Sequence, residues 1–319
     1  MHPLGPEDRA LAVAPLTHAA GAMVFPMLAA GGATIIHASF DAEAVLDTIE
    51  REKISAMFAV PTMLQRMAAA PSFAKRDLSS LRTVSYGAAP MPPDVMNAIR
   101  EKLGHALVQI YGLTEALHPI TTLKREDHVA GGDVLRSAGT STGVSEIRIL
   151  NDAGEDQADG QVGEITVRGP NVMTGYWKND EATNEVLRDG WLRTGDLAYR
   201  DANGYYFIVD RKKDVVITGG FNVYTNEVEH LLRSISGVIE ATVLGIPHPE
   251  WGEQVCAVVV HDEANPITPH DLRAHCKREL SPYKVPKQFH TQTQSLPRNS
   301  AGKILKQDLR SLFATSPTP

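Results

Sequence analysis

The chain has 319 residues, of which 43% are hydrophobic and 22% charged, and its formal net charge is -7. This composition is typical of a folded globular protein with room for two domains, and it excludes a disordered or fibrous chain. The acidic balance argues against a nucleic-acid-binding protein or one that docks on anionic membranes, because both need a basic surface.

Neither cysteine suggests a metal or redox site. Cys256 and Cys276 lack metal-ligand spacing, so we expect reduced thiols and a cytoplasmic location. The N-terminus shows no signal-peptide pattern. The uncharged stretch 19–36 approaches the length of a transmembrane helix, but Gly21 and Pro26 interrupt it. It therefore predicts a buried helix, turn and strand, and no membrane span.

The first part of the chain alternates helix and strand signals. Residues 41–53 predict an amphipathic helix and 54–60 a buried strand. Two further strands, at 81–86 and 107–111, each end at a glycine-marked turn, and a helix begins near Pro93. This alternation predicts a layered α/β domain with a mainly parallel sheet. In such sheets ligands bind beyond the carboxyl ends of the strands.

The pattern changes twice further along the chain. Short strands separated by turns begin near residue 143 and indicate a β-subdomain built from hairpins. An amphipathic helix around Val228, followed by strands at 238–246 and 255–261, marks a third region. The predicted division is a partial α/β domain at 1–142, a β-subdomain of the large domain at 143–210 and a small, mobile α+β domain at 211–319.

Several short motifs carry chemically useful groups, but each alone has an ordinary structural explanation. Thr114 and Glu115 follow a strand and could meet phosphate and a divalent cation, yet such a turn is more often a helix cap. Asp196 could bind ribose hydroxyls or simply close a turn. Lys303, taken singly, would be an ordinary surface lysine.

The combination of motifs is specific where the single motifs are not. In chain order the sequence contains PLTHAAG, YGAAP, YGLTEA, GWLRTGD, VDRKKDVVITGGFNVYTNEVE and LPRNSAGKILK. On these motifs, from about Leu11 to Arg310, the chain resembles the acyl-adenylate-forming superfamily, which includes acyl- and aryl-CoA synthetases, firefly luciferase and peptide-synthetase adenylation domains. The motifs are most similar to those of fatty acid and aromatic acid CoA ligases.

The resemblance implies an acid–CoA ligase whose substrate is a small-molecule carboxylic acid. The carboxylate attacks the α-phosphate of ATP, a lysine and Mg²⁺ offset the developing charge, and the thiol of CoA then displaces AMP. The two half-reactions need different groups at one centre, which a rotating small domain can supply. The implied cofactors are therefore ATP/AMP, Mg²⁺ and coenzyme A, and a homodimer stays open.

The resemblance also implies roles for individual residues. Those implied to bind the nucleotide are Gly87, Ala88, Ala89, Pro90, Tyr111, Gly112, Thr114, Asp196 and Arg211. Those implied to line the pantetheine tunnel or bind the CoA nucleotide are Gly219, Gly220, Trp251, Tyr283 and Lys287. Glu115 would hold Mg²⁺, and Lys213 would be the hinge. The implied catalytic residues are Lys303, His18 and Thr114, with His18 beside the acyl tunnel.

The sequence departs from the superfamily pattern in two ways that matter. A Ser/Thr/Gly-rich phosphate loop precedes PLTHAAG in the family and is absent from this sequence, so we expect weak adenylation and better preserved thiolation. We also expect uncovered sheet edges and apolar surface where that part would pack. Thr225 stands where proline is common, and we expect this change only to loosen the start of a helix.

Two alternatives stay open. An adenylating enzyme of this fold could transfer its acyl group to a carrier protein, although no carrier sequence follows Arg310. The chain could instead be a non-catalytic or split-gene fragment that binds adenylate or CoA without full turnover. The acid itself cannot be read from the sequence, but small and apolar residues around Val60 and Gly112 favour a hydrophobic one.

Overall fold

The structure is a computed structural model that describes residues 3–89, 91, 93–299 and 303–313. By its internal contacts the chain divides into two compact units. Unit 1 comprises Met1–Thr194 and Tyr199–Ile208, and unit 2 comprises Gly195–Ala198 and Val209–Pro319. The finer division predicted at 142/143 and 210/211 stays a prediction.

Seven strands of unit 1 form one sheet. They are β1 (Arg9–Ala12), β2 (Ala33–Ile36), β3 (Ala56–Ala59), β4 (Thr83–Gly87), β5 (Leu107–Leu113), β6 (Ala116–Leu123) and β7 (Thr140–Ser141). Their order is β2-β1-β3-β4-β5-β6-β7. The pairs from β2 to β5 are parallel, and β6 and β7 are antiparallel. The predicted α/β class with a mainly parallel sheet is confirmed.

The helices of this region follow local sequence signals. They are α1 (Val24–Ala29), α2 (Ala42–Glu52), α3 (Pro61–Ala68), α4 (Pro93–Leu103) and α5 (Arg125–Ala130). In α2 the Asp41 carboxylate accepts a hydrogen bond from Ala44 N at 2.8 Å, which caps the first turn. Lys53 ends the helix in the left-handed region, and Val45 and Ile49 are fully buried on its inner face.

The uncharged stretch 19–36 contains short elements. A 3₁₀ helix at Ala19–Met23 leads into α1, and β2 follows after a turn at Gly31, in the predicted order of helix, turn and strand. The prediction that this stretch is buried is wrong, because only Ala20 and Met27 are buried in it. Within the described ranges, no helix is long and apolar enough to cross a membrane. Phe25 and Leu28 of α1 and Ile36 of edge strand β2 are exposed.

The strand that carries the YGLTEA motif does not stop at Gly112, so that predicted strand end is wrong. Instead β5 continues to Leu113, and the chain turns back through Thr114 and Glu115 into antiparallel β6. The return strand buries Ile120 and Leu123 completely, and this burial stabilises the hairpin.

A second sheet forms the predicted β-subdomain. Its elements are β8 (Glu146–Leu150), β9 (Gly163–Arg168), α6 (Asp180–Val186), β10 (Leu187–Arg188), β11 (Trp191–Arg200) and β12 (Tyr206–Arg211). The strand order is β10-β11-β9-β8, and β12 pairs with β11. Asp196 lies within β11 and not in a turn, directly after Gly195, whose φ of 73° is in the left-handed region.

Unit 2 contains a third sheet with helices beside it. Its further elements are β13 (Val216–Thr218), β14 (Phe221–Val223), α7 (Thr225–Arg233), β15 (Val238–His248), β16 (Gly252–His261), α8 (Pro269–Glu279), β17 (Gln288–Gln292) and α9 (Lys306–Leu309). The strand order is β14-β13-β16-β15, and β17 pairs in parallel with β16. The predicted small α+β region is thus observed.

Both faces of this third sheet are covered, which explains the continuous apolar run of β16. Val243 and Val259 belong to one hydrophobic cluster with residues of α7 and α8, including Cys276. Cys256 and Val258 belong to a second cluster with residues of α9. Burial raises the pKa of each cysteine to about 11, so both are poor nucleophiles at neutral pH.

Candidate active site

Two of the predicted nucleotide-binding turns lie at the same end of the large sheet. Gly87 ends β4 and is paired in register with Ile110 of β5, so the turns that follow the two parallel strands are neighbours. A Cβ on Gly87 would lie 2.3 Å from the carbonyl oxygen of Ile110, so only glycine fits there. Ala88 and Ala89 are exposed after it, and Pro90 lies outside the described residues.

The backbone after Gly87 adopts an uncommon conformation. Ala88 has a φ of 69°, in the left-handed region that costs a non-glycine residue about 1–2 kcal/mol. Such outliers persist where the surrounding structure fixes them, and they concentrate at ligand-binding turns. The conformation of this turn was not predicted from the sequence.

The β5–β6 hairpin presents the second motif. Tyr111 is half-buried, and Gly112 and Thr114 are exposed. The Tyr176 hydroxyl donates to Glu115 Oε1 at 2.8 Å, and Met173 N donates to the Glu115 carbonyl at 2.8 Å. The Glu115 carboxylate is therefore held in place by the loop that contains Tyr176.

The donor set around Glu115 is compatible with one kind of metal. Among the residues that the structure describes, no group of three or more His, Cys, Asp or Glu side chains could form a complete metal cage. Mg²⁺ needs no such cage, because it is commonly held by one or two carboxylates together with substrate phosphates and water. A single fixed carboxylate next to an exposed threonine fits that requirement.

A buried polar pair lies behind the Gly87 turn and was missed in the sequence. Tyr86, next to Gly87, donates its hydroxyl to His128 Nε2 at 2.8 Å, and both residues are fully buried. His128 Nδ1 lies 2.6 Å from the Lys124 carbonyl, so Nδ1 carries the proton and Nε2 accepts. Burial lowers the pKa of His128 and raises that of Tyr86, which keeps both neutral.

His18 lies elsewhere in unit 1. It is exposed and precedes the 3₁₀ helix at Ala19–Met23, which packs against β3. Its predicted catalytic role stays a prediction.

Four charged residues of unit 2 act on Lys303, namely Arg211, Lys213, Asp196 and Asp214. Arg211 Nε donates to Asp196 Oδ1 at 2.6 Å, and Asp196 is only 4% exposed. Lys303 as a whole residue is exposed, but protein atoms partly surround its ammonium group. That partial burial lowers the pKa of Lys303, the charges of Arg211 and Lys213 lower it further, and the charge of Asp196 raises it.

The residues predicted to meet CoA form two contact groups at the β13–β14 hairpin. Gly219 N donates to the Trp251 carbonyl at 2.9 Å, and Lys287 Nζ lies 5.6 Å from the centre of the Trp251 ring. Tyr283 stacks on Phe221, with ring centres 4.8 Å apart. Phe221 was not predicted, although it directly follows the glycine pair.

The two glycines of that hairpin are needed for conformation and not for space. Gly219 and Gly220 have φ values of 56° and 82°, and among the residues that the structure describes a Cβ on either would meet no atom within 4 Å apart from its neighbours in the chain. The turn therefore requires left-handed backbone and leaves open space above it.

The prediction that Thr225 only loosens the start of a helix is wrong. Thr225 is completely buried, and its backbone N–H and its hydroxyl both donate to the Asp210 carboxylate, the hydroxyl at 3.0 Å. Asp210 itself is only 2% exposed. Burial raises the pKa of Asp210, and hydrogen bonds from Arg211 N and Thr225 together with the charge of Lys306 offset part of that shift.

Comparison with known proteins shows which proteins this chain is similar to. A family model described as "AMP-binding enzyme" matches residues 1–177, and one described as "AMP-binding enzyme C-terminal domain" matches residues 227–303. A feruloyl-CoA synthase of Amycolatopsis sp is 45% identical over 312 residues, which is 97% of this chain and 62% of that protein. An indoleacetate–CoA ligase of Aromatoleum aromaticum is 38% identical over 98% of this chain and 61% of its own length.

Among solved structures, the amide bond synthetase McbA from Marinactinospora thermotolerans superposes with a TM-score of 0.90 at 38% identity. The match covers 98% of this chain and 64% of that one. The chain thus spans about 62% of the length of its curated relatives.

Proposed function

The chain belongs to the family of AMP-binding enzymes, and on that premise we propose that it acts as an acid–CoA ligase. The reaction joins a carboxylic acid to ATP, releases pyrophosphate, and transfers the acyl group from AMP to CoA. The observation that carries the proposal is the grouping of Lys303, Arg211 and Asp196 in unit 2, since acyl-adenylate formation needs such a cation beside the reacting phosphate.

The nucleotide would be held by backbone turns and by carboxylate side chains. The turn at 87–89 would border the adenine, with Tyr111 against the base and Thr114 at the phosphates. Asp196 would accept hydrogen bonds from the ribose hydroxyls while Arg211 Nε fixes one of its oxygens. Glu115 would hold Mg²⁺, which neutralises phosphate charge when it is bound.

Lys303 would act in the first half-reaction. When the substrate carboxylate attacks the α-phosphate, negative charge accumulates on the phosphoryl oxygens, and the ammonium of Lys303 would stabilise that charge. The second half-reaction would use the glycine hairpin at Gly219 and Gly220, whose open space suits a narrow pantetheine arm. Trp251, Tyr283 and Lys287 would contact the CoA nucleotide.

The relatives support an aromatic acid as the substrate class. One of them is named for ferulate and another for indoleacetate, both of which carry a carboxylate on a short arm from an aromatic ring. A hydrophobic acid also agrees with the small and apolar residues near Val60 and Gly112.

Two assays on the purified protein test the proposal. Acid-dependent exchange of pyrophosphate into ATP, with ferulate, indoleacetate and a medium-chain fatty acid, measures adenylation, and thioester formation from synthetic acyl-AMP and CoA measures thiolation. We expect Lys303→Ala to lower the exchange rate by about 100-fold or more, because it removes the cation from the reacting phosphate. The exposed Lys75→Ala is the matched control and should change neither rate.

The outcomes separate the proposal from its rivals. Amide formation from acyl-AMP and an amine, without CoA, would move the function toward that of the similar amide bond synthetase. Binding of an acyl-AMP analogue without turnover in either assay would indicate a non-catalytic binding module. Absence of exchange, of thioester and of analogue binding would overturn the proposal.

A further inference from the structure

Lys303 stands on a short two-stranded stem. Asn299 Oδ1 accepts from Lys303 N at 2.9 Å, and the Lys303 carbonyl accepts from Asn299 N at 2.9 Å. Arg298 and Ile304 form the adjacent antiparallel bridge. We call Arg298, Asn299, Lys303 and Ile304 the Lys303 stem.

Shortly after the Lys303 stem, at the start of α9, Lys306 binds buried partners. Its ammonium donates to Glu229 Oε1 at 2.9 Å, to Thr225 Oγ1 at 3.0 Å and to the Val243 carbonyl at 3.0 Å. An ammonium group has three N–H donors, so all three are used. Thr225 is fully buried and Glu229 is only 6% exposed, so the anchor lies inside the unit.

The same hydrogen-bond path reaches the Arg211 segment. The Thr225 hydroxyl accepts from Lys306 and donates to Asp210 Oδ2 at 3.0 Å, and Asp210 Oδ1 accepts from Arg211 N at 2.7 Å. The Lys306 ammonium and the Arg211 N–H only donate, the Asp210 carboxylate only accepts, and the Thr225 hydroxyl does both, so the path is consistent along its whole length. Lys306 therefore connects the Lys303 stem and the backbone of Arg211 to the first turn of α7.

A stabilising role alone explains this arrangement poorly. A buried ion pair contributes little net stability, because desolvating the charges offsets their attraction, and in several proteins its role is to specify one geometry. Unit 2 contains a matched pair without this connection. Lys284 Nζ contacts both carboxylate oxygens of Glu227, also on α7, at 2.7 Å, and the two lysines are equally shielded.

We propose that Lys306 is a positioning residue, which holds Lys303 and Arg211 in one fixed arrangement through Thr225, Glu229 and Asp210. The geometric part of this inference stands on the contacts of unit 2. Its consequence for catalysis rests on the proposed function, since Lys306 would act on adenylation only through Lys303 and without touching a substrate.

The geometric part is tested without any enzyme assay. The protein is labelled briefly with acetic anhydride over a pH series, and the acetylation rate of Lys303 is read by mass spectrometry relative to exposed Lys75. In Lys306→Met the Lys303 stem is released from the neighbouring cations, so the pKa of Lys303 should rise toward its ordinary value. Less of the reactive neutral amine is then present, and we expect the relative acetylation rate of Lys303 near pH 8 to fall by about three-fold or more. Lys306→Arg and the control Lys284→Met should keep the wild-type rate.

A second variant keeps the inference testable if Lys306→Met does not fold. Thr225→Val keeps the side-chain volume and the backbone N–H but removes the hydroxyl from the path, and it should lower the Lys303 rate in the same direction. An unchanged Lys303 profile in both Lys306→Met and Thr225→Val would overturn the inference, whatever the activity of the protein.

The catalytic part of the inference is tested by measuring the two half-reactions separately. A displacement of about 1 Å can cost on the order of 100-fold in rate, so we expect Lys306→Met to lower pyrophosphate exchange by about 10- to 100-fold. Thioester formation from acyl-AMP should stay within about two-fold, and Lys306→Met should add less than about two-fold to the loss caused by Lys303→Ala.

Equal losses in both half-reactions, or losses that multiply in the double variant, would overturn the catalytic part. If the wild-type protein shows neither pyrophosphate exchange nor thioester formation, the proposed function fails and the labelling result alone decides the geometric part.

Discussion

The two regions that carry the motifs are held in place by different forces. In unit 1 the Gly87 turn is fixed by steric fit, since a Cβ there would lie 2.3 Å from the Ile110 carbonyl oxygen. In unit 2 Lys303 and Arg211 are held by ion pairs and hydrogen bonds that end on Asp210 and Glu229. Close packing responds to changes of volume, whereas charged contacts respond to pH and salt. The two regions should therefore fail under different perturbations.

The largest expected effect is steric. Gly87→Ala forces β4 away from β5 and should lower the free energy of unfolding of the protein by about 3 kcal/mol. The measurement is urea unfolding followed by circular dichroism. Ala88→Gly is the control, because it removes a left-handed alanine and should change stability by less than about 1 kcal/mol. Equal losses in the two variants would contradict a steric origin.

The next effect removes hydrogen bonds from a buried carboxylate. Thr225→Pro takes both the backbone N–H and the hydroxyl from Asp210 and should cost about 2 kcal/mol of unfolding free energy. Thr225→Ser keeps both donors and should cost markedly less. If Thr225→Pro leaves the unfolding midpoint unchanged, the Asp210 contacts contribute nothing to stability.

A third effect appears as pH dependence in unit 1. Because burial lowers the pKa of His128, the unfolded chain takes up a proton near the ordinary value of 6.5 while the folded chain does not. Stability should therefore fall as pH falls below about 6.5, by at most about 1.4 kcal/mol per pH unit, until the folded-state pKa is reached. His128→Gln should lack this component, which the difference between its unfolding curves and those of the wild type isolates.

The smallest effect distinguishes two ion pairs of the same helix. A double-mutant cycle on Lys284 and Glu227 should give a coupling of about 0.5 kcal/mol that weakens in salt, because Glu227 is 41% exposed. The cycle on Lys306 and Glu229, whose side chain is 8% exposed, should give a larger coupling that salt changes less. Equal couplings and equal salt responses would remove the distinction.

Local patterns were sufficient to predict the layered α/β region and the glycine turns. Helix α2 follows from periodicity within a short window, and the change to short strands near residue 143 follows from turn residues, so both were readable. The continuation of β5 beyond Gly112 was not, because it depends on the antiparallel partner that follows.

The contacts that arrange the candidate site are long-range. Tyr86 and His128 are 42 residues apart, and Thr225 and Lys306 are 81 apart. No local pattern indicates such partners, and a threonine at a helix start was therefore underestimated. The residue types were visible in the sequence, but their pairing was set by the tertiary fold.

The path of strand β11 limits how this chain can be recombined. Residues Gly195–Ala198 belong to unit 2, although the chain on both sides of them belongs to unit 1. A piece cut at Val209 would contain Arg211 but not Asp196, its carboxylate partner. Unit 2 thus cannot be exchanged between relatives as one continuous segment of sequence. A successful exchange must carry two separate stretches of the gene.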